Sequence, residues 1–161
     1  MQDAVAAMLP ARTLDIACGT GWLTQHLRGQ IVGLDASPSM LEVAAARIPE
    51  AEFVTGDALE LPFADGSFAR IVTGHFYGHL EEADRVRFLA EARRVADELV
   101  VVDSALRDGV EPVEWQERAL NDGSRWEVYK RYFVAAELAE ELGHGDVLFD
   151  GTWFVVVRSR G

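Results

Sequence analysis

Residues 13–27 read TLDIACGTGWLTQHL, and this stretch decides how the chain is read. Arg12–Ala17 is a short apolar run of the kind that forms a buried strand. Gly19 and Gly21 let the backbone turn sharply and approach a ligand closely. A short helix is expected from Thr20 to Arg28, its first N–H groups free to face an anionic group. The strand–glycine–helix pattern normally holds a nucleotide. Its third glycine is missing, however, and Thr24 stands in that slot.

Strand-like runs recur downstream. IVGLDA (31–36), AEFVTGDA (51–58), FARIVTGH (68–75) and ELVVVDSA (98–105) follow the first. Between them, Ser37 is placed to cap a helix over 37–48 with Pro38 in its first position. Glu81–Ala96 is expected as a long helix presenting Val86, Leu89, Ala90 and Arg93 on one face. Strands alternating with helices predict right-handed crossovers and a mostly parallel, doubly wound sheet. Leu99–Val102 is apolar throughout, as a strand covered on both faces should be. Residues 107–132 are polar and aromatic. A helix is expected over 133–143. Asp150-Gly151, between two apolar runs, predicts a closing antiparallel hairpin. One domain over 1–161 accounts for the pattern.

Composition narrows the classes. The chain has 161 residues, 49% of them hydrophobic, enough for a continuous core. The formal net charge of −12 argues against a nucleic-acid partner, which would demand basic surface. No apolar run reaches the roughly 18 residues that span a bilayer, and the first residues lack the basic start of a signal peptide. Cys18 is the one cysteine, so no internal disulfide is expected and a cytoplasmic setting is.

Three carboxylates fall at or near the ends of consecutive strands. Asp35 ends the second, where it can accept from both hydroxyls of a ribose. Asp57 ends the third, where it can accept from an exocyclic adenine amine. Asp15 lies inside the apolar first strand and is costly there unless paired. An ammonium or sulfonium suits it. Together they suggest a site for an adenosine with a positively charged tail, which a dinucleotide pyrophosphate does not match.

On the motifs LDIACGTG, VGLDASPSMLEVAAAR and GDALELPFADGSFARIV, the chain resembles the class I S-adenosylmethionine-dependent methyltransferases of the small-molecule type. The resemblance implies an α/β, Rossmann-like doubly wound sheet of seven strands, order 3-2-1-4-5-7-6, with strand seven antiparallel. It implies S-adenosyl-L-methionine as cofactor, its methionine end held by Asp15 and the turn Ala17, Cys18, Gly19, Thr20 and Gly21. The ribose falls to Asp35 with Ala36 and Ser37, and the adenine to Asp57, Ala58 and Leu59, with Met40 packed nearby. Thr73 and Gly74 complete the expected cofactor-binding set. Relatives usually carry N-terminal helices over the cofactor, whereas about a dozen residues precede the first strand here. Segment 107–132 is therefore the candidate lid and substrate segment, with a partner subunit as the alternative; a homodimer fits the same reading.

Methyl transfer from a sulfonium needs an acceptor held in line and shielded from water, and neither a metal nor a covalent intermediate. A base helps if the acceptor is a hydroxyl. His75 and His79, in TGHFYGHL after the fourth strand, are the catalytic candidates. Against this stands a packing reading, which takes precedence: His75 touches the cofactor through its backbone, and His79 caps or packs the next helix. Tyr77, Trp126, Tyr129, Lys130, Arg131 and Tyr132 are the candidate substrate contacts, an aromatic wall with a cation for an acidic substrate. Their alternative role is to anchor the segment to the core while the basic residues stay solvated. No metal site is expected. Two other functions fit parts of the pattern: an NAD-dependent oxidoreductase, and a non-catalytic S-adenosylmethionine-binding module.

Overall fold

A computed structural model describes residues 1–119 and 123–161. Seven strands form one sheet: β1 (Thr13–Ile16), β2 (Ile31–Asp35), β3 (Glu52–Thr55), β4 (Arg70–Gly74), β5 (Glu98–Ser104), β8 (Asp146–Asp150) and β9 (Phe154–Arg160). A separate two-stranded hairpin holds β6 (Val113–Ala119) and β7 (Arg125–Arg131). The sheet order is β3-β2-β1-β4-β5-β9-β8. It differs in detail from the expected 3-2-1-4-5-7-6 because the hairpin strands intervene in the chain before the last two. Strands β1 to β5 pair in parallel, and β9 runs antiparallel to both β5 and β8.

The helices are α1 (Gln2–Ala6), α2 (Pro38–Arg47), α3 (Glu82–Val95) and α4 (Ala135–Glu141). Ser37 caps α2 as expected, its hydroxyl accepting from the Met40 N–H at 3.4 Å, with Pro38 opening the first turn. Among the described residues no helix is long and apolar enough to cross a membrane.

Alternation along β5 splits the core in two. Leu99 and Val101 face a large cluster with Leu14, Ile16, Phe88 and Leu138, while Val100 and Val102 face a smaller one with Val5, Val72 and Val156. Each fully buried valine contributes roughly 1.5–3 kcal/mol. The central strands therefore form a stiff frame whose carboxyl ends present the site.

Two expectations fail. The helix over Thr20–Arg28 is not formed; only a 3-10 turn at Thr24–His26 is present. Gly19 (φ 54°) and Gly21 (φ 75°) hold left-handed backbone that cannot propagate a right-handed helix. On α3 the buried stripe is Phe88, Ala92 and Val95, and Val86 is 65% exposed. Phe88 sets that face because its ring packs on Phe76 and Tyr77, at centroid distances of 5.7 and 5.8 Å.

Candidate active site

Three clefts adjoin along the carboxyl ends of β1, β2 and β4. The first, about 200 Å³, is lined by Asp15, Ala17–Thr20, Gly74 and His75, with Trp22 and Leu23 on its wall. Asp15 is 1% exposed. Its Oδ2 accepts from the Thr24 hydroxyl at 2.6 Å, while its Oδ1 is buried with no hydrogen-bond partner. Burial pushes the Asp15 carboxyl up to about 7, against the pull of the Thr24 bond. A buried carboxylate with one oxygen unmet is a seat for a cation. Thr24 was noted in the sequence only as a missing glycine; its hydroxyl in fact orients Asp15.

The second cleft, about 340 Å³, lies across Ala17 from the first. It is bounded by Leu34–Ala36, Gly56–Leu59, Phe76 and Leu80. Asp35 Oδ2 accepts from Gly19 N–H at 2.8 Å and Oδ1 from Ser37 N–H at 2.9 Å. This carboxylate thus ties the glycine turn to the start of α2. The Gly19 N–H is consequently committed to Asp35, and with no helix at Thr20 the anion-binding helix N-terminus is absent. Asp57 accepts from Leu59 N–H at 2.8 Å, which shapes its turn. The cleft is largely apolar, with Asp35 and Asp57 as its acidic groups.

Gly21, Ser37, Met40 and Thr73, also expected at the cofactor, line neither cleft. Gly21 packs against α2, where an added Cβ would meet Ala44 and Ile48 at 3.0–3.3 Å. Thr73 is fully buried and donates to the Ile16 carbonyl at 3.0 Å, tying β4 to β1. Met40 is 44% exposed on α2. The Cys18 thiol is pushed up to about 12 by burial and by Asp15 and Asp35, so it is no nucleophile.

His75 is shared between the first cleft and a third, about 500 Å³, which also includes His79, Arg107, Gln116, Arg118 and Lys130. His75 holds a left-handed φ of 56°, a backbone strain of the kind found at functional sites. Its N–H donates to the Val102 carbonyl at 2.8 Å, and its ring lies edge-on to Phe154 at 5.1 Å. The Tyr129 carbonyl can only accept, so the 2.7 Å contact from His79 Nδ1 makes that nitrogen the donor. The neutral His79 ring then keeps its lone pair on Nε2. Burial lowers the proton affinity of both imidazoles, which favours the neutral ring at pH 7.

The proposed substrate residues divide by strand alternation. Lys130 lines the third cleft but is buried, and its Nζ pairs with Asp103 Oδ1 at 2.7 Å. Asp103 Oδ2 also accepts from Gly78 N–H at 2.8 Å, so the hairpin is bolted to the end of β5. Arg131, one residue on, points the other way: it pairs with Glu141 at 2.7 Å and stacks on Phe133. Tyr77 is fully buried and donates to Glu141 at 2.7 Å; with Arg131 it borders a separate cleft beside α3 and none of these three. Tyr129 shares its hairpin face with Trp115, their rings 5.6 Å apart, away from Lys130. Trp126 pairs across from Arg118 and is 62% exposed. Tyr132, expected in the aromatic wall, does line this cleft, and so do Arg107, Gln116, Arg118 and Trp153, which the sequence reading does not single out as substrate residues. The period of two in VEWQERA and RWEVYKR was the signal that could have found Gln116 and Arg118.

The family model described as a methyltransferase domain matches residues 13–98, over half of the chain. The chain belongs to the methyltransferase-domain family. Among relatives of this methyltransferase-domain chain, the demethylmenaquinone methyltransferase of Thermotoga maritima is 43% identical over 91 residues, 53% of this chain and 39% of that protein. An uncharacterized methyltransferase of Alkaliphilus oremlandii is 30% identical over 125 residues, 74% of this chain and 56% of that protein. The chain thus spans well under two thirds of the length of the curated relatives it matches. A SAM-dependent methyltransferase structure from Methanosarcina mazei superposes with a TM-score of 0.74 at 17% identity, covering 96% of this chain and 94% of that one, a likeness of fold.

Proposed function

We propose that this chain is an S-adenosylmethionine-dependent methyltransferase that passes a methyl group to a small-molecule acceptor by in-line displacement. The observation that carries the reading is Asp15 Oδ1, a buried carboxylate oxygen with no partner on the wall of the first cleft. The ammonium of the cofactor's methionine end would supply the missing partner. Asp35 and its neighbours would take the ribose, and Asp57, Ala58 and Leu59 the adenine, in the cleft beyond Ala17. The cofactor, when bound, supplies an already activated methyl on a positively charged sulfur. The chain's part is to orient the acceptor, keep water away and receive a proton where the acceptor is a hydroxyl.

His75 is the group for that last task, because it alone among the two histidines borders both the donor cleft and the third cleft. His79, its Nδ1 proton given to the Tyr129 carbonyl, lines the acceptor side. The glycine turn and Asp35 that permit a nicotinamide oxidoreductase are arranged against it. The glycine-turn amide that would meet a pyrophosphate is bonded to Asp35 instead.

Calorimetry with S-adenosylmethionine tests the proposal. Wild-type chain is expected to bind it 1:1, and Asp15→Asn to bind about 100-fold more weakly while remaining folded. Equal affinity in the two proteins would remove Asp15 from the reading, and no affinity in either would sink it. Several relatives are demethylmenaquinone methyltransferases, which favours a quinol acceptor. The family match, however, ends at residue 98, before the hairpin that lines the third cleft.

A further inference from the structure

The third cleft has a charge opposite to that of the molecule around it. The chain carries −12, yet among the described residues no carboxylate lines this cleft, whereas Arg107, Arg118 and Lys130 do. Lys130 is already matched by Asp103. The two arginines form no ion pair among the described residues. Glu114 sits behind them, engaged by the Tyr132 hydroxyl at 2.7 Å and Gln116 at 2.6 Å.

Both guanidinium groups are held in place without an ion pair among the described residues, although the Glu114 carboxyl is held below its usual range by the Tyr132 and Gln116 hydrogen bonds and, in smaller part, by the Arg107 charge. Arg107 lies over the Trp153 ring at 4.6 Å and the Tyr132 ring at 5.7 Å. Stacking fixes the plane of a guanidinium and leaves its N–H edges free. Arg118 donates to Gln116 Oε1 at 3.0 Å, and Gln116 is itself oriented by Glu114 and Tyr132. Two oriented planar cations in one cleft suit a group that accepts paired hydrogen bonds and carries negative charge. A volume of about 500 Å³ admits a small organic molecule.

We propose that the methyl acceptor bears an oxyanion, a carboxylate or a phosphonate-type group, gripped by Arg107 and Arg118 while its reacting atom faces His75. The inference rests on the methyltransferase reading and adds to it the class of substrate. It also separates this chain's acceptor from an uncharged prenylated quinol, which would leave both guanidiniums without a counter-charge.

The test uses the whole chain saturated with S-adenosylhomocysteine, whose own binding is measured first. Failure at that step overturns the methyltransferase reading and this inference with it. Benzoate, phenylphosphonate and the neutral benzamide are then titrated by calorimetry or ligand-observed NMR. At least one anion is expected to bind with an affinity on the order of 1 mM, and benzamide at least about tenfold more weakly. Which anion binds better separates the carboxylate from the phosphonate source. Arg107→Gln and Arg118→Gln should each weaken the anion about tenfold, with S-adenosylhomocysteine affinity unchanged as proof of folding. Equal binding of benzamide and the anions, no binding of any probe, or a naphthoquinol that binds equally well to wild type and both variants would each overturn the inference.

Discussion

Asp15 makes the unliganded protein pay for its site. Its carboxyl, lifted to about 7, favours the protonated form in the fold, whereas the unfolded chain ionises near 3.8. The stability this difference contributes is therefore full below about pH 4 and is lost as pH rises through about 7. Asp15→Asn should accordingly unfold at higher temperature than wild type at pH 8, with the gap closing at low pH. An ammonium ligand needs the ionised carboxylate. Cofactor affinity should rise with pH up to about 7 and then level, with proton release in calorimetry at pH 6; a flat profile between pH 5 and 8 would contradict the Asp15 assignment. His75 has the opposite sense. Burial lowers its proton affinity, so activity on a hydroxyl acceptor should decline only below the ordinary imidazole value of about 6.5. At saturating cofactor, which removes the Asp15 contribution, His75→Asn should abolish that acid limb along with most of the rate, while His79→Asn leaves the limb in place.

At the scale of elements, the hairpin is held by few but strong attachments. Lys130 reaches Asp103 in a pair with side chains 6% and 0% exposed, and His79 bonds the Tyr129 carbonyl. Lys130→Met leaves the Asp103 carboxylate buried without its cation, a loss of about 3–5 kcal/mol. Thermal unfolding of Lys130→Met, Asp103→Asn and the double variant should show strong coupling, the double variant being more stable than the sum of the two losses. Additive losses would mean that the pair does not secure the hairpin. This region was also the least legible in the sequence. Trp126, Tyr129, Lys130 and Arg131 are near neighbours in the chain, yet cross-strand register sends Lys130 and Trp126 to one face and Tyr129 and Arg131 to the other. Describing the segment only as polar and aromatic, with no strands assigned, hid that division, although Asp122-Gly123 is itself a turn dipeptide in the sequence. The Asp15, Asp35 and Asp57 positions were legible because each lies within or close to the end of a strand, which local apolar runs disclose. The role of Thr24 was not, because it depends on how a glycine turn folds back.

Across the whole molecule, parallel β1–β5 with antiparallel β9 followed from apolar runs and the Asp150-Gly151 signal. The buried face of α3 did not, because Phe88 is chosen by partners in Phe76 and Tyr77 that lie outside the helix. The net charge of −12 acts at this scale too. Mutual repulsion destabilises the compact state, and salt screens it over roughly 10 Å at 0.1 M. The unfolding temperature should rise on adding sodium chloride to about 0.2 M, while benzoate binding in the third cleft weakens. A fall in the unfolding temperature would mean that local ion pairs such as Arg94 with Glu91 and Asp65 outweigh the global field.

The insertion of β6 and β7 between β5 and α4 has an evolutionary consequence. The hairpin contributes no strand to the sheet, and the donor-side clefts take none of their walls from it. Gln116 and Arg118 can therefore drift, or be exchanged with their whole ribbon, without disturbing Asp15, Asp35 or Asp57. The frame and the donor cavity form the inheritable part of such an enzyme, and the ribbon is the part on which new acceptor preferences can be tried.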